Sequence, residues 1–190
     1  MYIKLTKFEG IKLQPELYVK LIIGAIYSDI KFLESAKIQM GDVNLFIKNQ
    51  SKEFPFDLTE YYTPEMGPNL KRRFLSIEGV RKLEDSFEWK LKMETIENNL
   101  SRKGKRRINL DPGYIDSQRV VLFSRKQGPQ KIYIRKGVWG DLVLLKEKHG
   151  FRNLPWTFPD FRKGRYQKFF LEVVNEFKKE NILREPPFEE

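Results

Sequence analysis

The pattern of apolar and polar residues divides the chain into short strands and three longer helices. Leu17 to Tyr27 (LYVKLIIGAIY) is apolar almost throughout and rich in β-branched residues, which is typical of a strand buried on both faces. Ser28-Asp29 supplies an N-cap, and apolar residues then recur at helical spacing from Ile30 to Met40, where Gly41 is expected to end a helix. The pattern therefore predicts a strand followed directly by a helix.

The rest of the chain continues this alternation of strands and helices. The predicted extended segments are Asp42 to Lys48, Phe54 to Tyr62, Arg72 to Ile77, Lys131 to Arg135 and Val138 to Lys146, and the predicted helices are Val80 to Leu100 and Gly164 to Asn181. Pro64 to Pro68 is predicted to be a turn. Ile108 to Ile115 is expected to be extended but broken at Asp111-Pro112-Gly113. Gln118 to Phe123 fits either a short helix or a strand, and we favour the helix.

The order strand, helix, strand, strand, helix, strand predicts an α+β fold. We expect a mixed or antiparallel sheet with helices packed on one side, compatible with a ferredoxin-like core that carries extra strands and a C-terminal helix. A length of 190 residues fits one hydrophobic core, so residues 1–190 are predicted to form a single domain with a loose tail from about residue 185.

Composition narrows the possible chemistry. The chain has no cysteine, which excludes disulfides, thiolate metal sites and cysteine nucleophiles, and a bound metal would therefore be a hard, oxygen-liganded cation such as magnesium. Its one histidine, His149, lies in a turn-like segment and is expected at the surface. The longest apolar run is too short to cross a membrane, and Met1 to Leu13 does not resemble a signal peptide, so we expect a cytoplasmic protein. The dense Lys and Glu content is similar to that of heat-adapted proteins.

The net positive charge is confined to one segment. Residues 1–100 contain fifteen basic and fifteen acidic residues, and residues 153–190 contain seven of each. Residues 101–152 contain fourteen basic and four acidic residues, and this difference of ten is the whole net charge of +10. Such a concentration of one sign attracts anions. It predicts either an anionic partner or a basic surface that serves solubility.

The first of three polar clusters runs from Asp57 to Arg73. It places the carboxylates of Asp57 and Glu65 near the basic residues Lys71, Arg72 and Arg73, around a turn rich in proline and glycine. An arginine in this setting predicts bidentate binding of an anion, with Asp57 or Glu65 as a metal ligand or catalytic base. The alternative is a turn whose rim is held by salt bridges.

The second cluster runs from Lys103 to Tyr114. In a strand, Arg107, Asn109 and Asp111 share one face and Arg106 takes the other, so Arg107 is predicted to hold a phosphate and Asp111 a metal or a hydroxyl group. Asp-Pro-Gly is also a common turn, and this alternative stays open.

The third cluster, Leu154 to Arg162, places aromatic residues between two prolines. Trp156 and Phe158 are suited to stacking against a base or sugar, with Asp160 available for a hydroxyl group. The alternative is that Trp156 and Phe158 cover the core before the last helix.

These clusters make the chain resemble a known family. The segments FPFDLTEYYTPEMGPNLKRRF, GKRRINLDPGYI, KIYIRKGVWGDLVLL and LPWTFPDFR are similar to those of the bacterial and archaeal domain of unknown function 4416 family, over nearly the whole chain. That family has no established activity, although its members are sometimes called GTP-binding proteins. The chain has no P-loop, because Gly104-Lys105 lacks both the first glycine and the following Ser or Thr, and it has no G-x-G-x-x-G fingerprint. A nucleotide would have to bind by another route.

Three functions are compatible with the residues. The first is a site for a phosphorylated or carboxylated small molecule, with catalysis left open. Its candidate catalytic residues are Asp57, Glu65 and Asp111, and its candidate ligand-binding residues are Lys71, Arg72, Arg73, Arg106, Arg107, Asn109, Tyr114, Lys136, Asp141, Trp156 and Asp160. The second is a nucleic-acid-binding module in which Tyr114, Tyr133 and Trp139 stack on bases while Lys103, Lys105, Arg125 and Lys136 contact phosphates. The third is a structural or interaction protein without a ligand.

Overall fold

The protein is one large antiparallel sheet with helices on both faces. The computed structural model describes residues 17–182, with side chains up to residue 180. In this part of the chain the strands are β1 Tyr18–Tyr27, β2 Ile47–Gln50, β3 Phe54–Pro55, β4 Lys71–Ile77, β5 Arg81–Lys82, β6 Ile108–Ile115, β7 Arg119–Ser124, β8 Lys131–Arg135, β9 Val138–Lys146 and β10 Phe151–Asn153. The helices are α1 Ile30–Asp42, α2 Thr63–Met66, α3 Ser86–Leu100, α4 Pro159–Arg162 and α5 Gln167–Ile182. The predicted tail from about residue 185 and the segment Met1 to Leu13 lie outside these residues.

The central strands confirm the ferredoxin-like core. The sheet order is β10-β9-β7-β6-β1-β4-β2, and all pairs are antiparallel. The part β6-β1-β4-β2 is joined in the chain as β1-α1-β2-β4-α3-β6, which is the split βαβ arrangement. Strands β7 to β10 extend the sheet beyond β6. The α+β class, the antiparallel sheet, the extra strands and the C-terminal helix are therefore as predicted.

Two hydrophobic cores lie on opposite faces of the sheet, because successive residues of a strand point to opposite faces. Ile23 of β1 belongs to the core beneath α1 and α3, whereas Ile22 belongs to the core beneath α5. The apolar stripe of α5 packs on this second face with Phe170 and Val173 fully buried. The prediction of helices on one side is therefore right for α1 and α3 and wrong for α5.

The early strand and helix follow the sequence closely. β1 is buried from Val19 to Tyr27, which explains why its sequence is a nearly continuous apolar run. The carboxylate of Asp29 accepts a hydrogen bond from the backbone N–H of Lys31 and so caps α1. The helix extends one residue past Gly41 to Asp42, and Asn44 then adopts a left-handed conformation with φ 60°.

Several other predicted boundaries shift. Extended structure within residues 42–62 is limited to β2 and β3, and α2 forms one helical turn within the segment predicted to be a turn. The helix predicted over Val80 to Leu100 begins only at Ser86, because Arg81–Lys82 pairs with β1 and Leu83–Asp85 forms a 3-10 turn. The last helix begins at Gln167 after Gly164, whose φ is 67°.

Two predictions in the second half of the core are wrong. Gln118 to Phe123 does not form a helix, because Arg119–Ser124 is a strand that pairs with both β6 and β9. Ile108–Ile115 is not broken at Asp111-Pro112-Gly113, since the whole segment pairs with β1 from Ile108 to Ile115. No helix in the described part of the chain is long and apolar enough to cross a membrane.

Candidate functional site

A cavity of about 550 Å³ opens on the sheet face that α5 leaves uncovered. The core beneath α5 includes Ile22 of β1 and Phe74 of β4, while Ile26 and Arg72, further along the same face of these strands, line the cavity. The segment around Phe56 and Tyr62 and the segment Phe158–Asp160 form further walls. Residues from all three polar clusters of the sequence therefore line the same cavity, although the clusters are far apart in the chain.

The sheet forks at this cavity. Strand β6 pairs with β7 only from Gly113 to Ile115, although β7 continues beside β9 as far as Ser124. The backbone N–H of Leu110 donates to Glu97, so it points away from β1. Every second residue of a strand directs its backbone N–H to the same side, so the backbone nitrogen of Pro112 also points away from β1, towards β7. Pro112 has no N–H, and it occupies the position that would otherwise pair with Phe123. The ladder therefore ends at Pro112 while β6 itself continues along β1.

Two charged side chains of α3 reach the fork from the other face of the sheet. Glu97 Oε1 accepts the Leu110 N–H at 2.5 Å, and Lys90 Nζ donates to the Leu110 carbonyl at 3.3 Å. Together they satisfy the backbone groups that β7 leaves unpaired. Both line the cavity and both are buried, with exposed fractions of 6% for Lys90 and 5% for Glu97.

Arg72 forms the floor of the cavity. The residue is 4% exposed, and its guanidinium lies 5.0 to 5.4 Å from the ring centres of Phe56, Phe74 and Phe161. Nη1 donates to Asp160 Oδ2 at 2.7 Å, whereas Nε is buried without a hydrogen bond. A guanidinium has five N–H groups, so this buried cation has donors to spare.

Gly24 of β1 makes room for Arg72. A Cβ at Gly24 would lie 3.1 Å from Arg72 Nη2 and 2.9 Å from the Phe74 ring. Because Gly24 has no side chain, the guanidinium of Arg72 extends over β1 and reaches within 3.9 Å of Asp111 on β6. The glycine is required here by the close approach of a side chain.

A chain of hydrogen bonds leads from Asp111 to the cavity wall. Asn109 Nδ2 donates to Asp111 Oδ2 at 2.7 Å, and Arg106 Nη1 donates to Asn109 Oδ1 at 2.7 Å. Arg106 also binds Glu65 with Nε at 2.8 Å and Nη2 at 2.6 Å, and its backbone N–H donates to the same carboxylate. Arg106 holds the pKa of Glu65 below its usual range. Glu65 therefore positions Arg106.

Glu97 is a buried carboxyl group of the cavity with a strongly raised pKa. Burial raises the pKa of Glu97 to about 7, and the negative charge of Asp111 acts in the same direction. The pKa of Glu97 is lowered by the positive charges of Lys90 and Arg106 and by the hydrogen bond from Leu110, but burial outweighs them. Burial also raises the pKa of Asp141, a second carboxyl group of the cavity.

The mouth of the cavity is formed by two loops that touch. Lys126, after β7, lies 3.5 Å above the ring of Tyr61, which is 58% exposed. Beside it, Arg125 makes a bidentate ion pair with Glu94 of α3, with both distances 2.7 Å. The rim therefore combines aromatic surface with two exposed cations, Arg125 and Lys126.

Half of the sequence-predicted site residues meet at this place and half do not. The residues that line the cavity are Arg72, Arg106, Asn109, Asp111, Asp141 and Asp160, and Glu65 joins them through Arg106. The shared face of Asn109 and Asp111 is as predicted. The arginine that contacts Asn109 is Arg106, and Arg107 does not line the cavity. The predicted alternation of faces does not reach Arg107, because β6 begins only at Ile108.

The remaining predicted residues lie elsewhere. Asp57 is exposed and pairs with Arg165 at 2.9 Å, and Arg73 faces Glu53 at 3.9 Å on the opposite side of the sheet from Arg72. Lys71 begins β4, Tyr114 is buried in the core beneath α3, Lys136 lies over the Phe87 ring, and Trp156 donates to the Leu142 carbonyl. None of these lines the cavity.

Several cavity residues were missed by sequence reasoning, chiefly Lys90, Glu94, Glu97, Lys126 and Lys131. A signal existed for two of them. Lys90 and Glu97 are two helical turns apart and share the buried side of α3 with Met93, so they are charged residues within an apolar stripe. The others could not be found, because they depend on which loop lies beside which.

Ion pairs engage part of the positive charge of the basic segment 101–152. Five of its cations are held in ion pairs in the structure: Arg106 with Glu65, Arg119 with Asp116, Arg125 with Glu94, Lys131 with Asp141 and Arg152 with Glu147. Glu65 and Glu94 lie outside the segment, so distant parts of the chain neutralise some of its charge. Tyr114 is buried and Tyr133 packs against Trp139 at 5.2 Å.

Within the described residues, no three His, Cys, Asp or Glu side chains come together in a way that would hold a metal ion. A search of curated proteins finds no match to the chain. The model of one family matches residues 17–177, which include every element that lines the cavity. The chain therefore belongs to the family described as Domain of unknown function (DUF4416).

Proposed function

We propose that this protein binds a small anionic molecule, phosphorylated or carboxylated, in the cavity at the fork between β6 and β7. The observation that carries the proposal is the convergence of three sequence-distant clusters on one cavity whose walls hold Arg72, Lys90 and Arg106. A volume of about 550 Å³ is typical of pockets for small molecules. Mostly apolar walls with a few converging charges are the usual composition of such pockets.

The cavity contains cations that can receive an anion near neutral pH. Its interior contains the four cations Arg72, Lys90, Arg106 and Lys131 and the four carboxyl groups Glu97, Asp111, Asp141 and Asp160. Because the pKa of Glu97 is about 7, this group is partly protonated at neutral pH, which reduces the negative charge that faces a bound anion. Lys90 lies 3.8 Å from Asp111, which leaves its ammonium group with donors for a ligand oxygen.

The same cavity contains a group suited to proton transfer. General acid–base catalysis is most efficient when the pKa of the group is near the working pH, and Glu97 meets that condition beside Asp111 and Lys90. An enzymatic role for the site is therefore compatible with the proposal and would use Glu97 as the proton acceptor or donor.

Calorimetric titration with inorganic phosphate, ribose 5-phosphate, nucleoside monophosphates and benzoate tests the proposal. Lys90→Met removes the charge and keeps the length of the side chain, and Lys92→Met on the same helix is the matched control outside the cavity. We expect at least one probe to bind, with an affinity that falls about tenfold or more in Lys90→Met and stays within about twofold in Lys92→Met.

Two results would contradict the proposal. One is that none of these anions binds, and the other is that Lys90→Met binds them as tightly as the natural protein. Salt-sensitive binding of an oligonucleotide that survives Lys90→Met and is lost when Lys103 and Lys105 are both changed to Ala would instead favour the nucleic-acid function.

A further inference from the structure

The cavity has a second polar end on the far side of the fork. Asp141 of β9 lies opposite Leu122 of β7 and Lys131 of β8, all three of which line the cavity. Lys90, Arg72 and Asn109 reach the cavity from α3, β4 and β6, on the other side of the fork. A ligand that fills the cavity therefore meets charged groups at both ends.

One carboxylate oxygen of Asp141, Oδ2, has no well-aligned hydrogen bond to any described residue. Its side chain is 3% exposed, and Oδ2 is buried without a hydrogen bond of good geometry in the described structure. Lys131 Nζ lies 3.3 Å from Oδ2 in an ion pair that is not well aligned as a hydrogen bond, and it also donates to Ser124 Oγ at 2.9 Å. A buried carboxylate oxygen without a donor is unfavourable, and the native structures of proteins rarely leave one.

The neighbouring ammonium group decides which donor fits. A second cation placed at Asp141 would be repelled by Lys131, which is only 3.3 Å away. A hydroxyl group both donates and accepts, so it can donate to Asp141 Oδ2 and accept from Lys131 Nζ at the same time. The pair of Asp141 and Lys131 therefore matches a neutral hydroxyl group.

We propose that Asp141 and Lys131 recognise a hydroxyl group of the ligand, so that the cavity selects hydroxylated anions such as sugar phosphates over anions without hydroxyl groups. This inference rests on the proposed anion site at Lys90. Ligand discrimination by a buried polar group is strong, because an analogue without the hydroxyl leaves that group unpaired.

The test compares ribose 5-phosphate with butyl phosphate, which has the same anionic group and no hydroxyl groups on its chain. We expect the natural protein to bind ribose 5-phosphate about tenfold or more tightly than butyl phosphate. The double variant Asp141→Leu/Lys131→Met removes both charges of the pair, and thermal unfolding confirms that it folds. In this variant, the affinity advantage of ribose 5-phosphate over butyl phosphate should disappear.

The outcomes separate the two proposals. Equal affinities of the natural protein for the two phosphates would overturn the hydroxyl inference and leave the anion site intact. An equal loss of affinity for both in the double variant would also overturn it, since the pair would then act only through the fold. If neither phosphate binds, the anion site is absent and both proposals fail.

Discussion

Replacing Glu97 with Gln should stabilise the protein at alkaline pH and have little effect at acidic pH. Folding raises the pKa of this carboxyl group from its ordinary 4.5 to about 7, chiefly by burial. A group with a raised pKa in the folded state binds its proton more tightly there, so folding becomes less favourable as the pH rises from about 4.5 to about 7. Above that window the full cost of the ionised Glu97 is present. The variant Glu97→Gln avoids this cost, because its amide stays neutral at every pH.

The size of the effect follows from the shift. A difference of about 2.5 pH units, each equivalent to about 1.36 kcal/mol, corresponds to roughly 3 kcal/mol at high pH. Part of this cost is already present at about pH 5, so the gain in unfolding free energy from Glu97→Gln should be about 2 to 3 kcal/mol larger at about pH 8.5 than at about pH 5. The amide oxygen of the variant can still accept the Leu110 N–H.

Urea denaturation of both proteins at the two pH values measures this difference. Glu88→Gln, on the exposed side of the same helix, is the control for the loss of a solvent-exposed carboxylate. The reasoning is refuted if Glu97→Gln changes the unfolding free energy by the same amount at both pH values, or if it destabilises the protein more at the higher pH.

Two further predictions concern the floor of the cavity and are also measured by urea denaturation. Asp160→Ala should destabilise the protein by about 3 to 5 kcal/mol, because it removes the nearest partner of the buried Arg72 charge and leaves only Asp111, at 3.9 Å, among the described carboxylates. Asp57→Ala should hardly move the midpoint, because its pair with Arg165 is exposed. Equal effects would show that Asp160 is not what compensates Arg72. Gly24→Ala should cost about 1 to 3 kcal/mol, because the new methyl group meets Phe74 and Arg72, and an unchanged midpoint would mean that those side chains move aside freely.

The sequence predicted the fold wherever one local pattern decides the structure. The continuous apolar run of β1, the Asp29 cap of α1 and the stripe of α5 each identify an element without knowledge of its neighbours. The predictions for β6 and β7 are wrong for the opposite reason. Pro112 locally indicates a break in the strand. Its missing N–H removes no ladder hydrogen bond here, however, because β7 no longer pairs with β6 at that residue. The path of β7 cannot be read from the local sequence.

Half of the residues proposed for a site from the sequence line or contact the cavity, and its geometry was not predicted. Arg72, Asp111 and Asp160 are candidates in the sequence because polar residues in irregular segments have no packing role, and the structure places them within one network. Arg106 and Arg107 are adjacent in sequence, and the point at which β6 begins decides which of them faces Asn109. Lys90 and Glu97 show how a helix on one face of a sheet supplies groups to the other face, which local periodicity cannot reveal.

The cost of the charged cavity supports a role in binding rather than in stability. Buried ion pairs contribute little net stability, and apolar residues of similar volume often replace them without loss. The charged groups of the cavity nevertheless lie beside the apolar residues of the two cores. Pro112 keeps β7 away from this part of β6, so the sheet also forgoes backbone hydrogen bonds here. Charged groups beside an open fork are unfavourable for stability alone, and their presence supports the proposal that the cavity binds a polar ligand.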